Sequence, residues 1–204
     1  IFGITLAERS LYLKTDENAF KKMEKILNDL GVKDSDSIVA MHPSASSVSK
    51  RWFLERFAKV SDYLAENFNA KIILVAGPKD ADYTKKIIEY AKFKGNIIDL
   101  AGKTSIGELA CVLKIANLFI SNDSGPVHIS VAVGTPVISI FGRKKTGLGP
   151  KRWGPLGKDD IAIHKDAGCE VCLAHNCENN FRCLQAVEVE DIIEAVLKFK
   201  ERLV

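Results

Sequence analysis

Three observations predict an α/β fold built on a doubly wound parallel sheet. Short apolar runs recur along most of the chain, helical periodicity fills the stretches between them, and loops of small or polar residues follow each run. The runs are unbroken rather than alternating, which marks strands covered on both faces. Strands separated by helices of about ten residues pair in parallel through right-handed crossovers.

The elements follow in order. Residues 1–14 read as a short strand or linker, and Ala19 to Leu30 carries Phe20, Met23, Ile26, Leu27 and Leu30 at helical spacing, ended by Gly31. The polar turn 33–37 places a boundary between a leading segment, 1–33, and a main domain, 34–204. Ile38 to Met41 is the first strand; a loop from His42 to Ser47 leads to a helix from about Trp52 with Phe53, Phe57, Val60, Leu64 and Phe68 on one face. Ile72 to Ala76 ends at Gly77-Pro78, and Ala81 to Phe93 is helical with Ile87, Ile88 and Ala91 inward. Ile97 to Leu100 is a third strand, and Ser105-x2-Glu108 has capping-box spacing ahead of Leu109, Cys111, Val112 and Leu113, which places Cys111 in the core. Leu118 to Ile120 and Val137 to Phe141 are the fourth and fifth strands, with a helix opened by Pro126 and closed by Gly134 between them. Residues 143–160 form a Gly/Pro/Lys-rich loop, Ile161 to Ile163 is the candidate last strand, and Val189 to Leu203 is the closing helix.

Composition narrows the function. Of 204 residues, 47% are hydrophobic and 27% charged, as in a soluble globular domain, and the net charge of +3 is too small to argue for nucleic acid or a membrane surface. No apolar stretch approaches the roughly 18–20 residues a spanning helix needs, and the first ten residues lack the pattern of a secretory signal, so the chain reads as cytoplasmic. It does not begin with Met, which suggests that upstream sequence belongs to the protein.

Ligands of doubly wound sheets bind beyond the carboxyl ends of the strands, so the loops at 42–51, 77–80, 101–105, 122–128 and 142–147 should line one cleft. Two of them have the makings of a phosphate site. Asp123-Ser124-Gly125-Pro126 turns into a helix whose first N–H groups face outward with the helix dipole behind them, and His128 emerges from the same turn. Lys50 ends a small-residue loop before the preceding helix, where an ammonium can join backbone donors on an anion. Each feature alone also reads as an ordinary N-cap or a surface lysine. Together they suit a diphosphate, and neither the Gly-x4-Gly-Lys-Ser/Thr loop of nucleoside triphosphatases nor the Gly-x-Gly-x2-Gly of dinucleotide folds is present. A nucleoside diphosphate joined to another group remains.

Four cysteines, Cys169, Cys172, Cys177 and Cys183, crowd a segment with little apolar material. A structural zinc site, disulfides in an oxidising compartment, and free thiols all fit that spacing, and His175 could replace one sulfur.

From about residue 38 to 200 the sequence resembles the ADP-heptose:lipopolysaccharide heptosyltransferases. The carriers are His42-Pro43-Ser44-Ala45, Lys50-Arg51-Trp52, Leu74 to Gly77 with Asp80, Leu100 to Thr104, and above all Asn122-Asp123-Ser124-Gly125-Pro126-Val127-His128 with Gly134-Thr135-Pro136 and Phe141-Gly142. The resemblance implies the carboxy-terminal, Rossmann-like half of a two-domain B-type glycosyltransferase, with residues 1–33 the tail of the amino-terminal domain and a linker helix. It implies that Lys50, Ser44, Ser124, Gly125 and His128 hold donor phosphates, that Asp123 orders the turn and with Lys50 serves catalysis, that Asp80 meets the ribose, and that Gly102 and Thr104 flank the base. It also implies a nucleoside-diphosphate sugar such as ADP-heptose as donor and a lipid-linked saccharide acceptor met through an amino-terminal domain that also carries the base. Transfer would need no metal, and membrane association would be peripheral at most, at the inner face. Two departures stand out: Ser44 where the family usually has Gly, and Arg143-Lys144-Lys145 where Pro-Thr is commoner. A sugar-nucleotide epimerase and a non-catalytic nucleotide-sugar-binding module are the competing readings.

Overall fold

The computed structural model describes residues 10–204. Most of the strand or linker expected over 1–14 therefore lies outside the described residues. Residues 10–14 have no regular structure, and the Leu13 N–H donates to the Ala132 carbonyl at 2.8 Å.

Six strands form one all-parallel sheet: β1 (Ile38–His42), β2 (Lys71–Leu74), β3 (Ile97–Asp99), β4 (Leu118–Asn122), β5 (Val137–Phe141) and β6 (Ile161–His164). Their order is β3-β2-β1-β4-β5-β6, so the winding reverses between β1 and β4. The crevice at such a reversal is where open α/β sheets hold ligands.

Both faces are covered. Val39 and Met41 of β1 point into one apolar layer with α2 (Leu54–Phe68), α3 (Ala81–Tyr90) and α8 (Val189–Leu197); Ile38 and Ala40 point into the other. That second layer holds α1 (Glu17–Asp29), α4 (Ile106–Ile115) and α5 (Gly125–Val133). The side-chain period of two on a doubly covered strand makes every position apolar, which is the unbroken run seen in the sequence. Two one-turn helices, α6 (Pro150–Trp153) and α7 (Arg182–Gln185), sit in the late loops.

Local signals set the ends. Asp16 caps α1 by accepting the Ala19 N–H. At its far end the Gly31 and Val32 N–H groups return to the Asn28 and Leu27 carbonyls, with Gly31 at φ +86°. This is a Schellman ending, sealed by the buried Val32 and Leu27. The turn at 33–37 does not interrupt packing: Met23 and Leu27 of α1 are buried in the same layer as Ile38 and Phe119. Ser105 and Glu108 form the capping box of α4, and burial among apolar neighbours pushes the Cys111 thiol above its usual range.

Three helix bounds differ from the periodicity. The structure starts α2 at Leu54, not Trp52, because the Trp52 N–H is taken by the Asn122 side chain at 3.0 Å; Phe53 becomes an exposed N-cap. The third helix stops at Tyr90, since Asp62 accepts the N–H groups of Lys92 and Phe93. The last stops at Leu197, after which a 3₁₀ turn at Lys200–Arg202 brings Leu203 back into the core.

Candidate nucleotide-sugar site

A cleft of about 570 Å³ opens at the carboxyl ends of β1 and β4. The loop after β1 contributes Ser44, Ala45 and Lys50, the loop after β2 contributes Asp80, and the start of α5 contributes Ser124, Gly125 and His128. Trp153 of α6 closes one side, its ring 6.4 Å from that of His128.

Charge at the cleft is arranged around Asp123. This carboxylate is buried, and its Oδ2 accepts from Arg143 Nη2 at 2.6 Å and meets Lys50 Nζ at 3.2 Å. Arg143 is only 4% exposed, and it reaches Asp123 from a backbone with φ +46°. Two cations on one carboxylate leave a net positive charge at the sheet reversal, beside the amino end of α5. That helix begins without a side-chain cap, because the Ser124 hydroxyl is turned elsewhere. Uncapped first-turn N–H groups with the helix dipole behind them favour an anion.

Ser124 Oγ is turned onto His42 Nδ1 at 3.1 Å, and His42 Nε2 meets Ser44 Oγ at 3.1 Å. Ser121 Oγ extends the chain to Ser124 at 3.0 Å. His42 is nearly enclosed, and burial lowers its pKa to about 4 despite the opposing charge of Asp80, so the ring is neutral at pH 7. It ties the β1 loop to the start of α5 without adding charge. Asn122 makes a second tie: besides accepting from Trp52, it donates through Nδ2 to the Pro43 carbonyl at 2.6 Å.

Two glycines have different jobs. A Cβ on Gly125 would meet no protein atom within 4 Å and would project into open space, so the protein's own packing does not require glycine there. A Cβ on Gly142 would come within 2.5 Å of the Ser49 carbonyl and 3.0 Å of Leu184, so this glycine lets the Lys50-bearing turn lie against the end of β5.

Of the residues expected from sequence, Ser44, Lys50, Asp80, Asp123, Ser124, Gly125 and His128 all line the cleft. Gly102 and Thr104 do not. They follow β3, the outermost strand, and Gly102 lies behind Pro78 with its N–H on the Ala76 carbonyl. Of the second phosphate-ready stretch, 50–53, Lys50 and Arg51 line the cleft, but Lys50 closes a 3₁₀ turn, Val48–Lys50, and α2 begins only at Leu54. Ser44 is buried with its hydroxyl on His42. Sequence reasoning gave no role to His42 and saw in Arg143 only added charge. A histidine ending a buried strand, and an arginine in a loop following a strand, were the available signals.

The cysteines line a separate cavity of about 330 Å³ beside β6, all four of them free thiols. Among the described residues no three His, Cys, Asp or Glu side chains stand close enough together to hold a metal ion, so the four cysteines named as candidate zinc ligands do not meet on a common centre. His175 Nδ1 is engaged by the hydroxyls of Ser47 at 2.6 Å and Ser49 at 3.0 Å. No helix among the described residues is long and apolar enough to cross a membrane.

Residues 2–181 match the family model of glycosyltransferase family 9 (heptosyltransferase). The chain belongs to this family. Among curated heptosyltransferases, lipopolysaccharide heptosyltransferase 3 of Escherichia coli K12 is 34% identical over 198 residues, covering 96% of this chain and 55% of the relative. Lipooligosaccharide heptosyltransferase 2 of Campylobacter jejuni is 30% identical over 178 residues, covering 85% and 55%. A solved family 9 glycosyltransferase from Veillonella parvula superposes with a TM-score of 0.84 at 27% identity, over 98% of this chain and 56% of that one. The chain thus spans about half the length of the relatives it matches.

Proposed function

We propose that this chain is the donor-binding half of a heptosyltransferase, holding a nucleoside-diphosphate sugar, ADP-heptose in the first instance, for transfer to a lipopolysaccharide-type saccharide. The observation that carries this reading is the meeting of Lys50 and the uncapped start of α5 in the cleft at the β1/β4 reversal, with Arg143 buried on Asp123 behind them. That arrangement supplies the Lys50 ammonium and helix N–H donors for one diphosphate, with the buried Asp123–Arg143 pair holding the ammonium from behind.

The reaction is displacement at the anomeric carbon, in which the nucleoside diphosphate leaves. Charge grows on the phosphate oxygen that breaks from the sugar. Lys50 and the α5 terminus stabilise it, Asp123 keeps Lys50 and Arg143 in place, and His128 donates from the same turn. Removing one such preorganised donor commonly costs on the order of 10²–10³ in rate. Asp80, on the β2 side of the cleft, suits the ribose, and Trp153 offers a flat apolar surface beside His128. The acceptor and the base that deprotonates it belong to an amino-terminal domain preceding residue 34, so this chain alone binds donor and transfers poorly.

Calorimetric titration with ADP, UDP and GDP tests the reading. ADP should bind saturably, and Lys50→Ala should weaken it roughly ten- to a hundredfold, the range for losing a hydrogen bond to a charged group. Preference for UDP or GDP would replace the donor base. Equal affinity in wild type and Lys50→Ala would remove the site.

A further inference from the structure

Two neighbouring cations leave the loop after β1 toward different sides of the cleft. Lys50 sends its ammonium to Asp123, just past β4, beside the start of α5. Arg51 turns toward α3. Its Nε donates to the Ala45 carbonyl at 2.8 Å and its Nη1 to the Tyr83 hydroxyl at 2.5 Å, and its guanidinium carbon lies 5.0 Å from the centre of the Tyr83 ring. Tyr83 stands in the first turn of α3, three residues past Asp80.

Arg51 is half-buried and lines the cleft, yet among the described residues it pairs with no carboxylate and its Nη2 makes no hydrogen bond. A long cationic side chain on a surface is ordinarily left to move in water. This one is fastened through two nitrogens to neutral groups, which fixes the plane of the guanidinium and leaves its charge and Nη2 uncommitted. Tyr83 does not line the cleft, so its part is to hold that plane from behind.

Charge decides which part of a donor belongs there. The diphosphate is taken up on the β4 side, by Lys50 and the α5 terminus. On the β2 side the lining carboxylate is Asp80, which repels phosphate and suits the hydroxyls of a ribose. Of the lining residues on that side, Gly77, Lys79, Asp80 and Arg51, only the guanidinium is a flat, weakly hydrated group on which a base can stack. Trp153, the other flat group of the lining, stands beside His128 on the α5 side. Resting on the donor reading above, we propose that Arg51 determines specificity at the nucleoside end: the base of the donor lies on the guanidinium plane held by Tyr83 and the Ala45 carbonyl. A guanidinium attracts the face of an aromatic ring, and the two-ring surface of a purine overlaps it more than a pyrimidine does. The donor class this selects is a purine nucleoside diphosphate sugar.

Calorimetric titration of the 204-residue chain with ADP, UDP and inorganic pyrophosphate separates the two ends of the ligand. Wild type should bind ADP more tightly than UDP. Arg51→Lys keeps the charge but not the plane; it should weaken ADP roughly three- to thirtyfold, narrow the gap between ADP and UDP, and leave pyrophosphate unchanged. The unchanged pyrophosphate affinity also shows that the cleft of the variant is folded. Tyr83→Phe, outside the cleft lining, removes only the hydroxyl anchor and should weaken ADP by a smaller factor, again without effect on pyrophosphate. Lys50→Ala should weaken ADP and pyrophosphate alike. Wild-type ADP affinity in both Arg51→Lys and Tyr83→Phe would overturn the proposal. So would an equal loss of ADP and pyrophosphate in these two variants, which would make Arg51 a phosphate ligand, or a lost ADP–UDP gap in Trp153→Ala but not in Arg51→Lys. In each of those cases the Lys50→Ala result would keep the diphosphate site, whereas a wild type that bound neither ADP nor pyrophosphate would remove the donor reading and this proposal together.

Discussion

Replacing Asp123 with Asn tests the electrostatic design of the cleft at its centre. The substitution keeps size and leaves one oxygen able to accept from Arg143, but it removes the charge shared by Arg143 and Lys50. The two pairs are not equal. Arg143 is 4% exposed and has nowhere to find water, and breaking a buried pair from one side costs about 3–5 kcal/mol. Lys50 is 19% exposed and can turn toward solvent, so its share is nearer the 0–1 kcal/mol of a surface pair. The residual Asn–Arg hydrogen bond places the total at about 3 kcal/mol. At roughly 2–4 °C per kcal/mol for a domain of this size, the melting temperature should fall by about 6–12 °C. Circular dichroism melts at low and high salt provide the assay: because the Arg143–Asp123 pair is buried, the drop should persist when salt screens surface charge. The control is Asp82→Asn, which breaks the exposed Lys85–Asp82 pair and should move the melting temperature by a degree or two at most. If Asp123→Asn behaved like that control, the buried ion pair would not be holding the cleft.

Gly125→Ala should leave the melting temperature near wild type, because its Cβ meets no protein atom, yet weaken ADP binding where the ligand's phosphates approach α5; Gly142→Ala should instead destabilise the fold, since its Cβ collides with the Ser49 carbonyl. Unchanged calorimetric affinity in Gly125→Ala would contradict the placement of the diphosphate. His42 carries a pH signature. Its pKa falls from 6.5 in the unfolded chain to about 4 when folded, so the unfolded state binds the extra proton, and this contribution is complete above pH 6.5 and lost as pH falls toward 4. The full contribution is about 3 kcal/mol, and urea titrations across that window should show a steeper loss in wild type than in His42→Gln.

Much of this architecture was legible because it is written locally. β5 falls on the apolar run Val137 to Phe141, α5 ends at Gly134 with φ +88°, and the Ser105/Glu108 box opens α4 where the spacing placed it. The cleft residues after β1, β2 and β4 were legible for a topological reason: parallel winding puts all their loops on one edge. Topology also brought the loop 101–105 to the cleft, because it gives the edge but not the strand order; β3 is outermost, and Gly102 and Thr104, which the resemblance sets beside the base, lie outside the cleft lining. What remained hidden is tertiary. No periodicity announces that the Asn122 side chain takes the Trp52 N–H and delays α2, that Arg143 folds back onto Asp123, or that His42 is desolvated between two serines. Two of these contacts, Trp52–Asn122 and His42–Ser124, join segments far apart in sequence and depend on the β1–β4 pairing being in place.

That dependence has a kinetic side. The two walls of the cleft touch through His42–Ser124 and Asn122–Pro43, pairs 82 and 79 positions apart, and both rest on the β1–β4 pairing that joins the two halves of the sheet. Either half can begin its own βαβ units from nearer contacts, while the seam must wait for a large loop to close. In the proposed donor site, nucleotide would bind only after the seam has formed. It should therefore slow unfolding while leaving the refolding rate almost untouched, so that the donor acts on this protein as a latch rather than as a template.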